Sequence, residues 1–183
     1  MTGLSRLFHL KVDTMKIKPR IPGPPLRFLF QHPAHLVACG FGSGLSPFAP
    51  GTAGTLFAWA TWPYLVAHFR GAGWLALFLL LAFAFGAVVC QITGRALGVV
   101  DHGAIVWDEI VPFWCVLLLT PAGLAWQLAA FLLFRFYDIA KPQPARWFDT
   151  EVKNGFGVMM DDLVAAGYTL FTLALAKMLL EMF

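Results

Sequence analysis

Two adjacent carboxylates, Asp108 and Glu109, stand among apolar neighbours in "VWDEIVPFW", residues 106–114. A carboxylate in such surroundings loses its hydration unless a cation, a hydrogen bond or a water-filled cavity replaces it. The other acidic residues are distributed in the same way: Asp101, Asp108, Glu109, Asp138, Asp149, Glu151, Asp161 and Asp162 are eight of the ten acids, and all fall between 101 and 162. Asp149 and Glu151, beside Arg146 and Lys153, read as solvated loop charges. Asp108, Glu109, Asp138, Asp161 and Asp162 each adjoin an apolar stretch, and these five form the candidate catalytic and cation-binding set. Successive residues of a helix point about 100° apart, so one member of each acidic pair would ligate while the other orients water or a second ligand.

Basic residues lie close to these acids. In "FRFYDIAKP", residues 134–142, Arg135, Asp138 and Lys141 recur every three residues and would share one helical face before Pro142 stops the helix. The spacing suits an ion-pair ladder and a phosphate clamp equally. Carboxylate-held magnesium together with Arg or Lys is what phosphoryl transfer requires, because the metal neutralises phosphate oxygens and the cations stabilise the developing charge. Upstream, "GFGSGLSPFAPGTAGT", residues 40–55, offers Ser46, Thr52 and Thr55 on a Gly-rich backbone. Such a segment either caps a helix or wraps a phosphate with its N–H groups, and it lacks the Lys of a nucleotide P-loop. "NGFGVMMDD", residues 154–162, is a second Gly-containing lead into an apolar helix, with Asp161 and Asp162 at its mouth. Cysteine-phosphatase chemistry is excluded, since Cys90 and Arg95 are one residue too close for that motif. Cys39, Cys90 and Cys115 have no paired spacing and read as core or lipid-facing thiols. His102, beside Asp101, reads as a hydrogen-bonded loop histidine.

The elements that must position these residues are apolar and long. The chain has 183 residues, 59% hydrophobic and 13% charged, where a soluble domain carries roughly 25% charged. No Asp, Glu, Lys or Arg occurs in 28–69, 71–94 or 110–134. A spanning helix needs about 20 apolar residues, so the gaps predict membrane helices near 54–69 and 73–92, a hydrophobic region at 110–134, and a last helix near 163–180. "TPAG", residues 120–123, divides the third region into arms at 108–119 and 123–138, each short for a full span. A re-entrant hairpin, its turn buried against other helices, would return Asp138 and Lys141 to the face that holds Asp108. The expected fold is therefore all-α, a multi-pass membrane bundle with a re-entrant helical hairpin. Residues 1–35 are expected to be a basic cytoplasmic tail, since Arg6, Lys11, Lys16, Lys18, Arg20 and Arg27 precede the first helix, and 36–183 to be one membrane-embedded domain. That places the acids on the cytoplasmic side. The net charge of +3 is membrane-surface charge, with no aromatic-basic pattern for nucleic acid and no sign of an obligate protein partner.

Taken in order, "GSGLSPFAPGTAGT", "VWDEIVPFW", "FRFYDIAKPQPARWFD" and "NGFGVMMDD" resemble the motifs of the phosphatidylglycerophosphatase A family of bacterial membrane phosphatases, over roughly Gly40 to Gly167. Pro112 stands where that family usually has Gly, and Asn154 replaces the first Gly of a Gly-Gly pair. The resemblance implies magnesium-dependent removal of the terminal phosphate of phosphatidylglycerophosphate, a membrane phospholipid, to give phosphatidylglycerol at the inner membrane. It leaves open whether water or an aspartate attacks. The rival from another class is a non-enzymatic transporter or ion-binding subunit, which would carry its ionisable groups near the midplane of several spans.

Overall fold

The computed structural model describes residues 22–69 and 71–182. The tail cations up to Arg20 lie outside the described residues, as does Arg70. Every regular element among the described residues is helical. A 3-10 turn at Leu26–Phe30 leads into α1 (Pro33–Ala38), and a second 3-10 segment, Gly40–Leu45, leads into α2 (Pro50–His68). There follow α3 (Ala72–Leu97), α4 (Trp107–Leu119), α5 (Leu124–Ala140), α6 (Ala145–Glu151) and α7 (Gly155–Glu181).

The chain places α4 at the centre. Ile110, Val111, Phe113 and Val116 are fully buried, and α2, α3 and α7 pack around them. Trp107 donates its indole N–H to Ala82 O on α3 and Trp114 donates to Ala58 O on α2, so two large side chains reach helix backbones without leaving a buried donor unpaired. Helices α4 and α5 run antiparallel: Phe113 meets Phe131 and Phe134, while Glu109 at the start of α4 meets Arg135 near the end of α5.

Among the described residues two helices, α3 and α7, are long and apolar enough to cross a membrane. Their outward faces are apolar too, with Leu80, Leu81 and Phe85 exposed on α3 and Phe171, Met178 and Leu180 on α7, as befits a membrane protein.

Several boundaries differ from the expected ones. Helix α2 starts at Pro50 rather than 54, because proline suits the first turn and Gly51 and Gly54 pack close against α4. Helix α3 runs on past 92 to Leu97 and ends on left-handed Gly98. Helix α7 starts at Gly155, eight residues before 163, so Asp161 and Asp162 sit at the end of its second turn and not at its mouth. Asn154 caps it by accepting the Gly157 N–H, which explains how the chain manages without a glycine there. Pro112 is accommodated inside α4, fully buried.

The hairpin divides where "TPAG" predicted, but its turn is not covered: Ala122 and Gly123 are exposed. The ends of the two arms are closed by local bonds, Thr120 N–H and hydroxyl both donating to Val116 O and Gln127 N–H to Gly123 O.

Candidate active site

Three helix ends and the second turn of α7 converge on one cavity of about 280 Å³. The loop before α4 brings Asp101, the first turn of α4 brings Asp108 and Glu109, the end of α5 brings Arg135, Asp138 and Lys141, and α7 brings Asp161 and Asp162. Pro50 and Gly51 at the start of α2 close the wall. Asp108 and Glu109 benefit from the positive end of the α4 dipole, worth up to about 1 kcal/mol. All five carboxylates singled out in the sequence thus line a single space, and Asp101 joins them.

Arg135 bridges two of these acids, donating to Glu109 Oε1 at 2.9 Å and approaching Asp138 Oδ2 at 2.7 Å. Lys141 lies one residue beyond α5 in a left-handed conformation, so it leaves the face shared by Arg135 and Asp138 and turns to Asp161 and Asp149, the latter at 3.2 Å. Its burial works to lower the ammonium's pKa, but Asp161, Asp162 and Asp101 outweigh that and hold it above its ordinary value. The carboxylates around it thus hold the lysine as the ammonium.

Glu109, Asp138 and Asp162 each offer an oxygen within 4.8 Å of the others, a spacing at which one ion could be shared. Asp108 and Asp161 line the cavity outside that trio. Asp108 Oδ1 and Glu109 Oε2 are buried without a hydrogen-bond partner among the described residues. A donor set of carboxylates alone, two of them with orphaned oxygens, fits a hard divalent cation such as magnesium.

The hydroxyl candidates are dispersed. Thr55 is buried, donates to Gly51 O and meets Arg135 Nη1 at 3.4 Å, so it stands behind the arginine. Ser46 donates to Phe48 O and lines a neighbouring cavity, whereas Thr52 lines neither. Two features escaped the sequence reading. Asp149, read as a solvated loop charge, lies on α6 and pairs with Lys141; it closes the "FRFYDIAKPQPARWFD" stretch, whose spacing does not show that the chain folds back to bring it to Lys141. Gly51 and Gly54 bring α2 against the Glu109 carboxylate, which a Cβ at Gly51 would overlap; their i, i+3 spacing was the available signal.

His102 accepts the Ala104 N–H on Nδ1, as a hydrogen-bonded loop histidine should. Burial lowers its pKa, opposed in part by Asp101, so the imidazole is neutral with its proton on Nε2.

The phosphatidylglycerophosphatase A family profile matches residues 36–177. The chain is 49% identical over 139 residues to phosphatidylglycerophosphatase A of Haemophilus influenzae, covering 75% of this chain and 84% of that one. It is 44% identical over 140 residues to phosphatidylglycerophosphatase A of Escherichia coli, covering 76% and 80%. A Bacteroides thetaiotaomicron protein with the provisional name phosphatidylinositol-3-phosphatase is 39% identical over 147 residues, covering 78% and 92%. No solved structure matches the chain. The match spans all four motifs and every residue that lines the acidic cavity, and the chain belongs to the phosphatidylglycerophosphatase A family.

Proposed function

We propose that this chain hydrolyses the terminal phosphate monoester of phosphatidylglycerophosphate, giving phosphatidylglycerol and inorganic phosphate, with magnesium as its metal. The observation that carries the reading is the convergence of six carboxylates and two cations on one small cavity in a chain of this family. A phosphate dianion enters so acidic a space only with a compensating cation.

Glu109, Asp138 and Asp162 are the residues to hold that cation, with Asp108 and Asp161 beside them. Bound there, magnesium supplies neutralisation of the phosphate oxygens and of the charge they gain as the ester bond breaks. Arg135 fixes the orientations of Glu109 and Asp138, and Thr55 supports Arg135 from behind. Lys141 exchanges one of its two carboxylate partners for a phosphate oxygen. Asp108, whose Oδ1 no protein group engages among the described residues, either takes the proton of an attacking water or attacks phosphorus itself. In the first case water bonds to phosphorus as the bond to the glycerol oxygen breaks, and that oxygen leaves with the proton Asp108 took from the water; in the second the glycerol oxygen leaves with a proton from solvent, and water then hydrolyses the aspartyl phosphate, releasing inorganic phosphate and restoring Asp108.

The membrane arrangement belongs to the same proposal. Residues 36–183 form one membrane-embedded domain in the inner membrane; α2, α3 and α7 cross, α4 and α5 dip in as a re-entrant hairpin, and the active site faces the cytoplasm. The lengths support this, since 13 and 17 residues give arms of about 20 and 25 Å, short of a hydrocarbon core of about 30 Å. A single cysteine placed at Ala122 should resist an impermeant thiol reagent added from the periplasm. Ready labelling would mean that the hairpin traverses the whole bilayer.

A transporter would carry ionisable groups at mid-span, whereas here they gather at one end of the bundle. No protein or nucleic-acid partner enters the reading; the phospholipid is the partner. Phosphate release by the detergent-purified chain tests it, with phosphatidylglycerophosphate and phosphatidylinositol 3-phosphate compared because of the Bacteroides relative's name. Magnesium-dependent release from the former is expected. No release from it, or release that a chelator leaves intact, would sink the proposal.

A further inference from the structure

A second cavity, of about 520 Å³, adjoins the acidic one and shares two of its walls, Pro50 and Gly103. Its lining is of the opposite kind. Among the described residues it is lined by no carboxylate and no fixed cation; Ser46 and His102 are the polar side chains there, set among prolines and glycines. His102 is only 4% exposed, and with Nδ1 committed to the Ala104 N–H, no protein group among the described residues takes its Nε2–H. An imidazole donor on a cavity wall, without a protein partner among the described residues, is a group awaiting an acceptor. Phe48, beside the Ser46–Pro47 wall, is 80% exposed, which suits a rim at a lipid interface.

We propose that this cavity is the second substrate subsite, in which His102 Nε2–H donates to the glycerol-phosphodiester part of the headgroup that joins the scissile phosphate to the lipid. The inference rests on the phosphatase reading above and adds to it what selects the headgroup. A phosphate monoester reaching into the acidic cavity carries its own glycerol and diester behind it, and the second cavity adjoins the first at Pro50 and Gly103, where such a ligand would extend. The division of labour follows from charge. The diester has a single negative charge and needs a donor, not a metal, so a neutral imidazole in an uncharged cavity suits it while the dianionic end goes to the cation site. An Oγ at Ser46 lies on the same wall, although its proton is directed to Phe48 O.

Glycerophosphoglycerol, which has the glycerol and the diester but no monoester, tests the subsite as a competitive inhibitor of the purified full chain acting on phosphatidylglycerophosphate. The wild type should be inhibited competitively. His102→Ala should raise the inhibition constant about tenfold or more, the worth of a hydrogen bond to a charged oxygen, and should raise KM more than it lowers kcat. His102→Gln, which can place an N–H near the position of Nε2, should recover part of that loss. Gly103→Val is an independent probe: a Cβ at Gly103 meets open space and the backbone is not left-handed, so the fold accepts a side chain at a residue that lines both cavities. It too should weaken inhibition about tenfold. The subsite is overturned if the wild type hydrolyses phosphatidylglycerophosphate yet ignores the diester, if both variants keep the wild-type inhibition constant, or if His102→Ala lowers kcat with KM unmoved. Failure of the wild type to hydrolyse the lipid at all strikes the phosphatase reading instead, so the two failures are told apart.

Discussion

The two ends of the α4–α5 hairpin are built on opposite terms. At the turn, Thr120 and Gln127 close their hydrogen bonds onto residues within four positions along the chain, and the backbone between them is exposed. At the other end Glu109, Arg135 and Asp138 depend on one another across two helices, with α7 contributing Asp161 and Asp162, and two carboxylate oxygens are left unpaired in the interior. Burying like charges together costs stability unless something compensates them. The hairpin therefore folds by its apolar seam and its turn, and the charged end is a place where the fold carries a burden for the sake of a ligand.

The contrast breaks most visibly through the carboxylates. Asp138→Asn, Glu109→Gln or Asp162→Asn keeps size and removes charge, and each should reduce turnover about a thousandfold, with magnesium affinity measured by calorimetry falling in parallel. Protein should still accumulate in the membrane, because the substitution relieves repulsion. Thr120→Val at the opposite end should cost about 1 kcal/mol of stability and leave turnover alone. Wild-type turnover and magnesium dependence in both Asp138→Asn and Asp162→Asn would remove the metal assignment.

Next in size is Lys141→Ala. If the lysine contacts the phosphate chiefly in the transition state, kcat and kcat/KM should fall together by about a hundredfold while magnesium affinity stays within a few fold. A rise in KM alone would reduce Lys141 to uniform binding, and wild-type kinetics would leave it a structural cation between Asp149 and Asp161.

Much of this organisation was legible in the sequence, for reasons that also explain what was not. Charge is scarce in an apolar chain, so the acids between 101 and 162 stood out and their common cavity could be anticipated. Pro121 and Gly123 marked the turn because backbone chemistry is local. The partner of Lys141 was hidden: whether it stays on its helix face depends on a single left-handed residue at the helix end, and Asp149 reaches it from α6, a short helix that read as a loop. The order among the five acids was hidden as well, since sequence gives adjacency and not which oxygens approach within 4.8 Å. An early helix start, such as that of α7, is decided by the Asn154 cap and by close packing of Gly155 on α3, and the latter is a tertiary fact.

Two glycines sharpen the comparison on a smaller scale. At Gly51 an added Cβ would overlap the Glu109 carboxylate, so Gly51→Ala should displace a proposed ligand and cost about 1–3 kcal/mol, lowering activity and thermal stability together. At Gly123 the space is open but φ is +118°, so Gly123→Ala should cost about 1–2 kcal/mol of stability through backbone strain and leave kcat unchanged. Equal effects of the two on kcat would mean that the charged end is not specially dependent on close approach.

The smallest expected effect concerns His102, on the wall of the second cavity beside Gly103. Burial depresses its pKa, Asp101 only partly restores it, and Nδ1 accepts a hydrogen bond that protonation there would destroy. Its folded pKa is thus below the unfolded value of about 6.5, so its contribution to stability is complete above that pH. As pH falls through 6.5 the unfolded chain takes up the proton more readily than the folded one, and the contribution is lost progressively down through the folded pKa. His102→Asn retains an acceptor at the Nδ1 position and cannot titrate. The melting temperature of the wild type minus that of His102→Asn should therefore shrink between pH 7.5 and 5.5, by something on the order of 2 °C. Comparing the two proteins cancels the carboxylates, which titrate in both. A difference that stays constant over this range would show that His102 binds its proton equally well folded and unfolded, and the neutral imidazole required of the second subsite would then be present only at higher pH.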